Sequence, residues 1–172
     1  MKIMEFFDLI KERYSVREYK DKEIPAELLE KVLDAGRIAP TARNCQPVRI
    51  LVARSKEAVA KMNELTPCVY GAPVVLIICA DTNESSSQPC GRSFAEADAT
   101  IAATHIMLAA ADAGLGTVWV GRFDQKEVKE ALSFPDELVP FALMPIGYPS
   151  DTSVPSPRHN ENKELSEIVK YF

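Results

Sequence analysis

Histidine and cysteine are scarce, two and four among 172 residues. Cys45, Cys68, Cys79 and Cys90 lie far apart and form no C-x-x-C pair. That spacing excludes a zinc-finger ligand set and a disulfide framework, and reads as scattered reduced thiols. There is no G-x-x-x-x-G-K-[ST] loop, no H-E-x-x-H and no G-x-S-x-G, which removes the P-loop, zincin and nucleophile-elbow chemistries. Gly114-x-Gly116 follows an expected helix and precedes an expected strand, the reverse of a dinucleotide fingerprint. The N-terminal MKIMEFFDLIKERYS is amphipathic and has neither the apolar centre nor the cleavage site of a signal peptide, so a cytoplasmic location is expected. A net charge of −5 argues against nucleic acid or an anionic membrane as the main partner.

Apolar residues make up 47% and charged residues 26%, enough core for one domain over residues 1–172. The chain is organised around Phe94–Ala113, FAEADATIAATHIMLAAADA, which has no internal Gly or Pro. From Ala99 to Ala111 it carries no charge and its apolar residues run all the way round, so a helix buried on all sides is expected. Acidic flanks and a short apolar span argue against a bilayer crossing. In a chain this small, the dimer interface of a symmetric oligomer is one place to bury such a helix. A charge at Ala103 then tests that placement. Gly114 is read as the helix stop, Thr117–Gly121 as a strand, and His105 as a hydrogen-bonded packing residue.

In chain order, residues 4–12 show an amphipathic helix pattern, followed by Arg13-Tyr14-Ser15-Val16-Arg17-Glu18-Tyr19. Alternation there places Arg13, Ser15 and Arg17 on one face of an extended segment. Two guanidiniums around a hydroxyl suit an anion clamp; a solvated basic strand edge is the other reading. Pro25 opens a helix with an apolar stripe from Leu28 to Ile38. That helix ends at Ala39-Pro40, and Thr41-Ala42-Arg43-Asn44-Cys45-Gln46-Pro47 is then a polar loop. The amides of Asn44 and Gln46 can read the edge of a heterocycle, although on these residues alone an ordinary turn is the better reading. Val48–Ala53 is a strand and Lys56–Leu65 a helix. Ala72–Ala80 is a central strand covered on both faces. Residues 81–92 form a polar loop, 126–132 a helix and 141–148 a strand. The tail holds Arg158 and His159, the latter read as solvated, and ends in apolar residues that must pack on something, a partner subunit being one such surface.

Four segments, R-Y-S-V-R-E-Y at 13–19, A-P-T-A-R-N-C-Q-P at 39–47, G-L-G-T-V-W-V-G at 114–121 and G-Y-P through P-R at 147–158, together resemble the nitroreductase family of FMN-dependent oxidoreductases. The resemblance implies an α+β fold, a central mixed β-sheet flanked by helices in an intertwined homodimer with FMN sites at the subunit interface. It implies that Arg13 and Ser15 bind the FMN phosphate and ribityl chain. Arg17 then stands near the flavin N1–O2 edge, where a cation favours developing negative charge. Pro40, Thr41, Ala42, Asn44 and Gln46 match a loop that reaches FMN from the other subunit. Val120 and Gly121 match backbone beside flavin N5, and Arg158 a late phosphate ligand. Arg43 and Ser156 depart from the family pattern, the first adding a cation and the second standing where relatives often carry one. The chain is also short for the family.

The activity so implied is hydride transfer from NADH or NADPH by way of the flavin to an electron-poor acceptor such as a nitroaromatic or quinone. No catalytic side chain and no metal are required. The alternatives are an FMN-binding carrier or sensor without turnover, and a flavin-consuming or specialised-metabolite reductase of the same fold.

Overall fold

The computed structural model describes residues 5–172. Strand β2 (Val74–Asp81) is its centre, and all of it except Asp81 is buried. Its side chains alternate between two apolar clusters: Val74, Leu76, Ile78 and Ala80 enter one, Val75, Ile77 and Cys79 the other. This explains a continuous β-branched run, because a strand covered on both faces has no polar side. β2 pairs antiparallel with β1 (Val48–Ala53) and with β4 (Leu138–Gly147). β4 pairs in turn with β3 (Gly116–Thr117), giving the order β1-β2-β4-β3. The ladders are antiparallel; the parallel component of the sheet is a single bridge between Ser15 and Thr117.

Helices cover both faces. α2 (Ala26–Arg37) and α4 (Ala95–Asp112) share one cluster with β2 and β4. α3 (Lys56–Leu65) and α5 (Gln125–Leu132) contribute Met62 and Val128 to the other. α1 (Phe6–Glu12) and the short α6 (Leu165–Ile168) lie at the periphery. The helix expected from residue 4 is described only from Phe6; Met4 lies outside the described residues. No described helix is long and apolar enough to cross a membrane.

Four expectations are corrected. α2 ends at Arg37, so Ile38 leaves the apolar stripe and is 62% exposed. The strand expected over Thr117–Gly121 shrinks to Gly116–Thr117 and a bridge at Val120, because Val118 faces Pro145, which has no N–H to give the ladder. α4 is not covered all round by its own chain. It buries Ala95, Asp98, Ala99, Ala102, Ala103, Ile106 and Ala110, and leaves Ala97, Thr100 and Ile101 exposed. Ala103 is therefore a core position, and a charge there would unfold the subunit rather than probe an interface. His105 is half-buried and makes no hydrogen bond among the described residues. Gly114 does stop the helix: with φ +74° it lets Leu115 N donate to Ala110 O (2.8 Å) and its own amide to Ala111 O (3.0 Å).

Candidate active site

α1 ends at Arg13, whose amide donates to Leu9 O at 3.0 Å while its own φ and ψ are already extended. The chain then runs beside β3. Val16, 1% exposed, points into the interior and its amide donates to Thr117 O at 3.0 Å. Ser15 forms the parallel bridge to Thr117. The approach is close enough to require glycine across from it: a Cβ at Gly116 would lie 2.4 Å from Val16 Cγ2. Arg13 and Ser15 are half-buried, and Arg17 is exposed with Nη1 donating to Ser15 O at 3.2 Å.

The tail meets this segment from the other side. Lys20 N donates to Tyr148 O at 2.8 Å and Ser150 N to Glu18 O at 3.0 Å. The Tyr14 hydroxyl donates to Ser153 O at 3.1 Å, and the Thr152 hydroxyl to Glu18 Oε1 at 2.7 Å. His159 is half-buried rather than solvated, with Nε2 3.0 Å from Lys11 O. Arg158 thus stands next to the end of α1, exposed, on a turn where Ser156 Oγ accepts its amide. Ser156 serves as the cap of that turn. Among the described residues no carboxylate forms an ion pair with Arg13, Arg17, Arg43 or Arg158. Beside them a cleft of about 200 Å³ is lined by Leu9, Arg13, Met107, Gly116, Thr117 and Pro149. Of the four, Arg13 lines this cleft; guanidiniums and a hydroxyl are donors of the kind an oxyanion takes.

The second group of candidates lies on the loop between α2 and β1. Arg43, Asn44 and Gln46 all have positive φ, at 54°, 56° and 52°. Non-glycine residues in this region cost about 1–3 kcal/mol each and persist where the surroundings hold them, which is common at functional sites. Thr41 Oγ1 accepts Gln46 N at 2.9 Å and Thr41 O accepts Asn44 N at 2.9 Å. Arg49 Nη1 donates to Gln46 O at 3.1 Å, while its Nη2 lies 2.7 and 2.6 Å from the Glu84 carboxylate oxygens. Ala42 N donates to Asp98 Oδ1 at 2.8 Å. Pro40, Arg43, Asn44 and Gln46 are exposed, and Thr41 and Ala42 half-buried. Asp98 escaped the reading of the sequence. Its signal was there: position 98 falls on the same stripe as Ala95, Ala102 and Ile106, so an acid on it is buried.

Val120 exchanges backbone hydrogen bonds with Leu143 at 2.9 and 3.0 Å, and Gly121 follows it at the surface. One chain brings the segment of Arg13, Ser15 and Arg17 against the tail that carries Arg158, through Tyr14–Ser153 and Lys11–His159. It does not bring Asn44 and Gln46 to them. The loop is tied to α4 at Asp98, whereas the cleft meets the same helix at Met107 and Ala111. The span from 98 to 111 is about 20 Å of helix at 1.5 Å per residue.

Comparison with known proteins bears on this arrangement. The family model described as Nitroreductase family matches residues 10–69 and 65–148. The chain belongs to the nitroreductase family. A crystal structure of a nitroreductase family protein from Clostridium difficile superposes with a TM-score of 0.91 at 39% identity, covering 98% of each chain. A protein of Methanothermobacter thermautotrophicus named as an NADH dehydrogenase/NAD(P)H nitroreductase is 35% identical over 155 residues, 86% of this chain and 79% of that one. An FMN reductase [NAD(P)H] of Bacillus subtilis is 32% identical over 163 residues, 84% of this chain and 66% of that one. The family's α+β sheet with flanking helices is the fold described above.

Proposed function

We propose that two copies of this nitroreductase-family chain form FMN sites and pass reducing equivalents from NAD(P)H to an electron-poor acceptor such as a nitroaromatic or a quinone. As a family member the chain is an NAD(P)H-linked flavin oxidoreductase. FMN, when bound, supplies the N5 centre through which a hydride is taken up and given out. The chain supplies binding, orientation and charge. Arg13 and Arg158 grip the phosphate, each able to donate two forked bonds, and Ser15 adds a hydroxyl. Arg17 places a positive charge at the N1–O2 edge, where it favours the anionic form. Asn44 and Gln46 match the edge of the ring with amide donors and acceptors. Val120 gives its own N–H to Leu143 O, and this pairing fixes the backbone so that the following Gly121 N–H is the one offered beside N5.

The observation that carries this reading is the meeting of Arg13, Ser15 and Arg17 with the Arg158 segment, sequence-distant groups whose arginines have no carboxylate partner among the described residues. The distance between the clamp and the Asn44–Gln46 loop along α4 supports a two-chain site, in which each chain's loop completes the other's clamp. The exposed stripe of α4 at Ala97, Thr100 and Ile101, and the exposed Leu165, Ile168 and Tyr171 of the tail, supply apolar surface for that pairing. The test is spectroscopic. The purified protein is expected to be yellow, to bleach on anaerobic NADH or NADPH, and to regain its colour on adding a quinone or nitroaromatic. A bound flavin that bleaches with neither nucleotide removes the proposal.

A further inference from the structure

Asp98 is 2% exposed, on the face of α4 that faces the core. Its Oδ1 accepts Ala42 N at 2.8 Å, and its Oδ2 is buried with no hydrogen-bond partner among the described residues. A buried carboxylate with one N–H partner recovers only part of its desolvation cost. Its place in the first turn of α4 returns some of that through the helix dipole. An apolar residue there would fill the cluster of Ala95, Ala99 and Ala102 without the cost, so the carboxylate is a poor device for stability alone. What it touches is the backbone of the strained loop. Thr41 holds that loop from within, and Arg49 holds Gln46 O from the exposed side. Asp98 is the anchor that reaches it from the rigid interior.

We propose that Asp98 is a positioning residue, which through Ala42 keeps the Thr41–Gln46 loop in the left-handed form that presents Asn44 and Gln46 to the flavin. This rests on the FMN site proposed above. In the test, apo-protein is titrated with FMN by flavin fluorescence, and the thermal unfolding of the same apo-protein is measured. Asp98→Ala is expected to weaken FMN binding about tenfold or more, the loss of a hydrogen bond to a charged group. The melting temperature of the apo-protein should not fall. Asp98→Asn keeps an acceptor for Ala42 N and should bind FMN within about threefold of wild type. Unchanged FMN affinity in Asp98→Ala overturns the proposal. So does a parallel fall in affinity and apo-stability that Asp98→Asn fails to restore, the mark of a packing residue. If Asp98→Ala yields no folded protein, Thr41→Val removes the loop's inner anchor without touching α4; a tenfold loss there supports loop positioning and no loss overturns it. A wild-type protein that takes up no FMN refutes the site itself and is separable from all of these results.

Discussion

Gly116→Ala puts one methyl group at the junction between β3 and the segment that carries the proposed phosphate clamp. A Cβ there lies 2.4, 2.7 and 3.0 Å from Val16 Cγ2, Cβ and Cγ1. Carbon atoms settle at about 3.5–4.0 Å, so strand and clamp segment must part by about 1 Å. That movement lengthens the Val16 N to Thr117 O bond, now 3.0 Å, and carries Ser15 and its neighbours Arg13 and Arg17 with it. Overpacking of a buried site costs about 1–3 kcal/mol, and for a chain of this size each kcal/mol lowers Tm by about 2–4 °C. Urea unfolding of the apo-protein should report the stability loss, and an FMN titration a weakening of about tenfold. Gly114→Ala is the control: it has φ +74° and open space around it, so its cost is backbone strain with no push on Val16. Val16→Ala removes the two methyl groups at 2.4 and 3.0 Å and keeps the Cβ at 2.7 Å, so it relieves part of the collision. The double variant Val16→Ala/Gly116→Ala should therefore be more stable than the sum of the single losses allows. Strict additivity, or a Gly116→Ala protein as stable as wild type, refutes the steric account.

Arg13→Ala should remove one or two charge-assisted bonds at about 1.5–3 kcal/mol each and release flavin on desalting; retention equal to wild type excludes Arg13 from the clamp. Ile101→Glu charges the exposed stripe of α4 without entering the core, and should yield monomers by light scattering; a dimer of unchanged stability rules α4 out of the interface. Burial pushes the Cys79 thiol up from 9.0 to about 12. Above pH 9 the unfolded chain gives up this proton and the folded chain keeps it. Stability should thus fall as pH rises from about 9 to 12, by up to about 1.4 kcal/mol per pH unit from this group. Urea midpoints of Cys79→Ala should fall less steeply over that range, and an equal slope contradicts the assignment. At pH 8 an alkylating reagent should modify exposed Cys90 and leave Cys79 untouched until the protein unfolds, a mass shift that peptide mapping can localise.

Periodicity and composition by themselves determined the central elements. β2 declared itself because burial on both faces leaves no polar position to interrupt a β-branched run. α4 and its Gly114 stop were legible because helical capping is a local rule. The residues proposed for the clamp, Arg13, Ser15 and Arg17, lie within one short segment, so an alternating pattern and family resemblance could point to them. Tertiary structure decided everything that depends on groups far apart in the chain. It set which side of an apolar helix is core, so that Ala103 turned out buried and Ala97 exposed. It cut the strand after Thr117 short, because the residue across from Val118 is a proline. It gave Asp98 a partner that no pattern could show, because the hydrogen bond to Ala42 joins residues far apart in the chain. The left-handed run at Arg43, Asn44 and Gln46 belongs to the same class. Local preference opposes that backbone, and only contacts supplied by the folded chain hold it.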